Sequence, residues 1–320
     1  FNLLQGNNSD IFYSAYVLEH SLLFLKQIPF HYEIWNMPIM YPNENTLSYE
    51  DFYFGLMPFY WVIRALIKNP LTSFQILFII LNILNYSVFY YLFKKQLKFS
   101  SLASALSGFV FAFSVLRYLR SSQIQFFSQF YSILAFIFLL KINSKNENYK
   151  NHLYVALSAI FLAIQFYTCY FYGFYSLFIL FWGVIIALLP KTGRDFILNY
   201  FKINKKYIIL FILYTILLNF PLATRYIAQN QVNLIDSVYY NSTNFWAWVR
   251  NLSILDSYIF KNLLYLNNLK INEMSCSVGL FTMIIGFLGL LKIKCSKGVP
   301  IILLILIFFC SIKIDDIFVW

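Results

Sequence analysis

The acidic side chains of this chain are unevenly spread. Asp10, Glu19, Glu33, Glu44, Glu50 and Asp51 fall in the first 72 residues, and Asp236, Asp256 and Glu273 fall between residues 225 and 275. A carboxylate at a surface can take the proton of an attacking hydroxyl, and an adjacent pair such as Glu50 and Asp51 can share a divalent cation. Plainer roles compete with these. Ser9 or Asp10 suits the N-cap of a helix over "SDIFYSAYVLEHSLLFLK", where Ile11, Ala15, Leu18, Leu22 and Leu25 recur at helical spacing. Glu50 and Asp51 suit the N-terminus of a helix over 52–66, where each contributes only about tenths of a kcal/mol. Arg117 and Arg120 share a helical face, as binders of a lipid phosphate or as snorkelling anchors, and Gln123 and Gln125 follow them. In the late segment Glu273, Arg225 and Arg250 are weaker candidates, and Trp246 and Trp248 could stack on a sugar or sit in an interfacial belt.

Other chemistries find no support. His20, His31 and His152 lack a metal-ligand spacing, and the glycines are isolated, so no phosphate loop for a nucleotide is present. Cys169, Cys276, Cys295 and Cys310 form no CxxC pair and read as small apolar fillers.

The elements that must position these residues are membrane elements. The 320 residues are 60% hydrophobic and only 12% charged, with a formal net charge of +11. A soluble domain carries about 25% charged residues. Eight apolar stretches approach the length of a span, at 73–93, 101–119, 126–141, 152–168, 171–189, 207–224, 276–292 and 299–314. The run 152–189 is too long for one span and is divided at "FYTCYFYG". With this division "KKQLKFS", "KINSKNENYKNH", "PKTGRDFILNYFKINKK" and "KIKCSKG" all share one side, and Glu147 and Asp195 are their only acids. The positive-inside rule makes that side cytoplasmic, so the net charge is topological and marks no nucleic-acid site. The acidic segments then lie outside.

This parity makes 52–66 an amphipathic interfacial helix, since another span would invert every loop. The expected class is all-α: a polytopic integral membrane protein of about eight transmembrane helices, with interfacial helices in a large first outer loop. The expected organisation is an outer loop at 1–72, six spans over 73–224, a second outer loop at 225–275 and two further spans over 276–320. Because residue 1 already lies outside, the chain reads as a fragment lacking its first and last transmembrane helices. Residues in the spans carry no ionisable group at mid-depth, which counts against ion-coupled transport.

Several stretches taken in order resemble a family. "GNNSD" at 6–10 is followed by "MYPNENTLSYEDFYFGLMPF", by "NP" at 69–70, by "FVFAFSVLRYLRSSQIQ", by "FYTCYFYGFY" and by "NEMSCSVGLFTMIIGFLGLL". This order resembles the polytopic GT-C glycosyltransferases and their bacterial relatives. The resemblance implies transfer of a sugar from a polyprenyl-phosphate-linked donor to a glycan, lipid or protein acceptor at the outer face of a bacterial inner membrane. It implies that Asp10, the first-loop acid, is a base or metal ligand, with Glu50 and Asp51 as further catalytic candidates. It implies a Gln contact at Gln123 or Gln125, which joins Arg117, Arg120 and Glu273 as candidate substrate-binding residues. A divalent cation such as Mg or Mn would be the cofactor and no nucleotide is needed; membrane lipids are the other partners. Two departures stand out: the family often has one acid where this chain has Glu50 and Asp51, and the His that often follows the arginines is absent. The alternative function is a non-catalytic flippase, transport or accessory role in envelope glycan assembly.

Overall fold

The computed structural model describes residues 8–114, 117, 121–142, 149–188 and 191–228, with strand pieces at 243–244, 312–314 and 317–318. Its secondary structure is helical: α1 (Asn8–Leu25), α2 (Met57–Leu66), α3 (Pro70–Tyr91), α4 (Ser101–Phe113), α5 (Phe130–Leu140), α6 (Tyr149–Thr168), α7 (Tyr170–Leu188) and α8 (Lys191–Ala228). The strand pieces Thr243–Asn244, Ile312–Ile314 and Ile317–Phe318 form one small sheet, the first pair parallel and the second antiparallel. The chain divides into two compact units. The first takes the described residues of Phe1–Ala112, Ser121–Leu180 and Asn199–Asn230, and the second those of Phe113–Arg120, Phe181–Leu198 and Gln231–Trp320.

Local rules account for the helix boundaries. Asn69 caps α3: its Oδ1 accepts the Leu71 and Thr72 amides at 2.9 and 3.1 Å, and Pro70 occupies the first helical position, where no N–H is needed. Along α3 the buried residues Phe74, Leu77, Leu81 and Asn85 follow one helical stripe. Asn85 is satisfied there, its Nδ2 donating to Leu81 O at 2.8 Å and to Phe127 O at 2.6 Å. The run 152–189 breaks at Cys169, between α6 and α7.

Other boundaries correct the expectation from sequence. Helix α1 begins at Asn8, so Ser9 and Asp10 stand in its first turn instead of at its cap. Ile11, Ala15, Leu18 and Leu22 are buried on its inner face, while Leu25 is exposed. Helix α2 starts at Met57, not at 52, and residues 52–56 form a buried turn whose Phe52, Tyr53 and Leu56 lie in the core. Burying such side chains contributes roughly 1.5–3 kcal/mol each relative to water. The Lys-rich stretch 191–206, read as a loop, is the first half of α8. Its Lys202, Lys205 and Lys206 are exposed while Asn204 and Tyr207 turn inward. Helix α8 also contains Pro221, which has no N–H to give the Leu217 carbonyl one turn back; the neighbouring Leu218 carbonyl accepts the Tyr167 hydroxyl at 3.1 Å.

Among the described residues two helical stretches are long and apolar enough to cross a membrane, Pro70–Gln96 and Gly193–Arg225. Three shorter apolar helices run over Ser101–Phe113, Ile124–Leu140 and Tyr170–Ile185. The stretch 276–292, and 299–314 apart from its last residues, lie outside the described residues.

Candidate functional site

The segment 50–55 runs against the break between α6 and α7. Tyr53 and Phe54 donate their amides to the Thr168 and Tyr167 carbonyls at 3.3 and 3.0 Å. The Gly55 amide donates to Thr168 Oγ1 at 3.0 Å, and its carbonyl accepts the Tyr131 hydroxyl at 2.7 Å. A Cβ at Gly55 would collide with Thr168 Oγ1 and approach Ile164 Cγ2 within 2.8 Å, so glycine is what lets this backbone close on α6. Tyr53 adopts a φ of 61°, a left-handed conformation that a bulky residue keeps only when its surroundings enforce it. Here the two amide bonds and a 3.0 Å contact between its hydroxyl and Ser14 Oγ do so.

That clamp turns Asp51 inward. Its Oδ1 accepts the Tyr170 amide at 3.0 Å, and the Cys169 thiol and the Gln125 side chain also hydrogen-bond its carboxylate. The helix whose N-terminus Asp51 faces is therefore α7, 119 positions away, and not α2 as the sequence suggests. Asp51 is only 4% exposed. Burial pushes its pKa up to about 6 against the pull of those hydrogen bonds, and the neighbouring Glu50 charge adds to the rise.

Glu50 stays open to solvent. Desolvation by the protein against which its carboxyl lies, and then the charge of Asp10, raise its pKa as well. Asp10, in the first turn of α1, is thus close enough to act on Glu50. Tyr13, one turn further along α1, completes the group. Its pKa is raised by burial and then by the charges of Glu50 and Asp51, and its buried hydroxyl has no hydrogen-bond partner among the described residues. The Oε1 of Gln125 is likewise buried without such a partner. Gln125 sits in a short 3-10 turn, Ile124–Phe127, whose position is fixed from below: Ser128 Oγ donates to the Gln125 carbonyl at 2.7 Å and receives Gln165 Nε2 at 2.8 Å.

The structure brings together Asp10, Glu50, Asp51 and Gln125 from the residues singled out in the sequence. Gln123 precedes the 3-10 turn and is half-buried. Arg117 is buried and belongs to the second unit. Arg120, Glu273, Arg250, Trp246 and Trp248 lie outside the described residues. Arg225, at the last turn of α8, donates from Nη1 to Asn45 Oδ1 at 2.9 Å and lies 5.1 Å over the Trp35 ring. Three contributors escaped the sequence reading: Tyr13, Cys169 and the Tyr170 amide. The signal for the last two was the helix break itself, which leaves an N-terminal N–H in need of an acceptor.

Two other acids of the first segment, Glu19 and Glu33, have structural partners, Glu33 accepting from Asn36 Nδ2. Glu19 takes Arg64 Nη2 at 2.7 Å and Nε at 2.9 Å, and the Tyr60 hydroxyl at 2.6 Å, which ties α1 to α2. Among the described residues no group of three or more His, Cys, Asp or Glu side chains is arranged to hold a metal ion. Comparison with protein-family models, with characterised proteins and with solved structures finds no match for this chain.

Proposed function

We propose that the chain is an integral-membrane, inverting glycosyltransferase of the GT-C type. It transfers a sugar from a polyprenyl-phosphate-linked donor to an acceptor at the outer face of the membrane. The observation that supports this most is the meeting of Asp10, Glu50 and Asp51 beside a helix break, with two of the three carboxyls raised in pKa. Chemistry that removes a hydroxyl proton benefits from a base moved toward neutrality in this way. The membrane setting draws on α8, which exposes Ile209, Ile212, Leu213, Ile216, Leu217 and Phe220; such a face suits lipid better than water. The full topology has eight spans, with the Lys-rich segments cytoplasmic and the acidic segments outside, in a bacterial inner membrane.

In the reaction the acceptor hydroxyl attacks the anomeric carbon opposite the phosphate. The new C–O bond forms as the bond to the phosphate oxygen breaks, and the electron pair leaves with the polyprenyl phosphate. The hydroxyl proton passes to a carboxylate. Asp51 already accepts hydrogen bonds from Tyr170, Cys169 and Gln125, so its part is to hold the segment in place. Glu50, open to solvent, and Asp10 beside it are the bases. The leaving phosphate needs positive charge, for which Arg117 and Arg120 are the residues to test.

Full-length protein in proteoliposomes, given a polyprenyl-phosphate-linked sugar and candidate acceptors, is the direct test. Asp10→Asn and Glu50→Gln are each expected to lower glycosidic product by about 100-fold or more at unchanged membrane abundance. Full transfer by both variants would sink the carboxylate mechanism. Movement of the lipid-linked sugar across the bilayer with no glycosidic bond formed would favour the flippase reading instead. Mass spectrometry of surface glycans from cells with and without the gene identifies the sugar.

A further inference from the structure

His20 and His31 face each other where α1 gives way to the segment that follows it. Their Nδ1 atoms are 2.7 Å apart, and His20 Nε2 lies 3.1 Å from the Ile34 carbonyl oxygen. His20 is fully buried. A carbonyl only accepts, so Nε2 carries the proton and the neutral His20 ring presents a bare Nδ1. His31 must therefore donate from its own Nδ1. Tyr16, one turn earlier on α1, stacks on His20 with centroids 6.3 Å apart and leans on His31 at 6.5 Å, which restricts both rings.

This pair has room for one extra proton and not for two. The first can go to Nε2 of His31, and the Nδ1–H···Nδ1 bond survives. The second has to go to Nδ1 of His20, and two N–H groups would then oppose each other at 2.7 Å. The rings must part. Among the described residues no neighbouring charge relieves this. Glu19, next to His20, is held by Arg64 and Tyr60 of α2, and Lys26 lies near Glu19. The Glu33 side chain is bonded to Asn36. Among the described residues neither imidazole gives a hydrogen bond to a carboxylate; His20 bonds the Ile34 and Glu33 backbone. Burial lowers the pKa of both histidines, and the charge of His31 lowers that of His20 further.

The segment held by His31 is tied to the wall of the candidate site. The Trp35 carbonyl accepts the Leu47 amide at 3.0 Å, the Met37 amide donates to Thr46 Oγ1 at 2.7 Å, and Asn36 Oδ1 accepts the Asn45 amide at 2.6 Å. The Trp35 ring meets Phe52 and Phe54 edge-on, at 5.6 and 5.5 Å. Glu50 and Asp51 lie between these contacts.

We propose that the His20–His31 pair is an acid-sensitive latch, whose second protonation frees segment 26–37 from α1 and with it the wall carrying Glu50 and Asp51. The latch stands on its own geometry; only its effect on catalysis rests on the glycosyltransferase reading. Folding holds these histidines neutral, so their contribution to stability is full above the ordinary value of 6.5 and is lost as pH falls below it.

The test uses the full chain in lipid nanodiscs and reads structure, so it is independent of any transfer assay. Backbone hydrogen exchange in 26–37 and 44–54, corrected for intrinsic rates, is expected to rise at least about tenfold between about pH 7 and about pH 5. Histidine C2–H exchange is expected to show His20 titrating below the ordinary histidine value. His31→Gln should remove the transition, because an amide can donate or accept and so absorbs the proton on His20 without separation. Wild-type protection that stays flat across this range overturns the latch, and so does a His31→Gln transition equal to that of the wild type.

Discussion

Asp51 and Gly55 stand four residues apart and oppose each other in chemistry, one tolerating burial at a cost and the other requiring it. The raised pKa of Asp51 means that folding favours its protonated form. The ionised carboxylate therefore works against the fold at neutral pH, and this penalty is relieved as pH falls through about 6 toward the unfolded value of 3.8. Asp51→Asn should abolish that component. The difference in stability between wild type and variant, followed from about pH 8 to pH 5, is expected to change by roughly 1–3 kcal/mol in favour of the wild type at the acid end. Taking the difference cancels the opposite trend expected from His20 and His31. Denaturation curves that stay parallel across this range would remove Asp51 as a buried titrating group. At Gly55 the effect is steric. Gly55→Ala forces the new methyl into Thr168 Oγ1 and should cost about 1–3 kcal/mol, visible as a lower Tm at every pH.

Between helices, the contact that joins α1 to α2 is the Glu19, Arg64 and Tyr60 group, whose ion pair is 11% and 20% exposed. Arg64→Met leaves the carboxylate of Glu19 half-buried with Tyr60 alone, at an expected cost of about 1–3 kcal/mol in thermal unfolding. Burial works to raise the pKa of Glu19, but the hydrogen bonds of Arg64 and Tyr60 and the charge of Arg64 outweigh it and hold Glu19 below its ordinary 4.5, so this contribution is present above that value and disappears as pH falls beneath it. Elements of this kind were partly legible in the sequence. The apolar run 73–93 marks α3 to within three residues of its Pro70 start, which Asn69 caps, and the burial of Ile11, Ala15, Leu18 and Leu22 follows from period. The start of α2 did not, because the apolar run 52–56 looks the same whether it forms a helix or a buried turn; only the Thr168 and Tyr167 carbonyls, which lie far along the chain, decide it. The same holds for the acids. Composition placed Asp10, Glu50 and Asp51 in one segment, but nothing local showed that Asp51 faces α7 or that Glu19 is taken by Arg64.

For the chain as a whole, the proposed eight-span arrangement makes a specific demand on labelling. In a background without the native cysteines, Glu44→Cys should react with a membrane-impermeant maleimide from outside intact cells, and Lys95→Cys and Lys205→Cys should react only after the membrane is opened. Equal labelling at both sets would refute the assigned sides. The bond between Asp51 and the Tyr170 amide, finally, imposes an order on synthesis. Its partners are 119 residues apart, so at about 5–20 residues per second the ribosome needs roughly 6–24 s to deliver the second after the first. During that interval the first segment waits with its carboxylates uncovered and its turn at 52–56 without a seat. A nascent chain arrested before α7 emerges would be cut by protease in this segment, and one arrested later would not. The wall that carries the acids thus closes only after a stretch of chain made well after it has emerged.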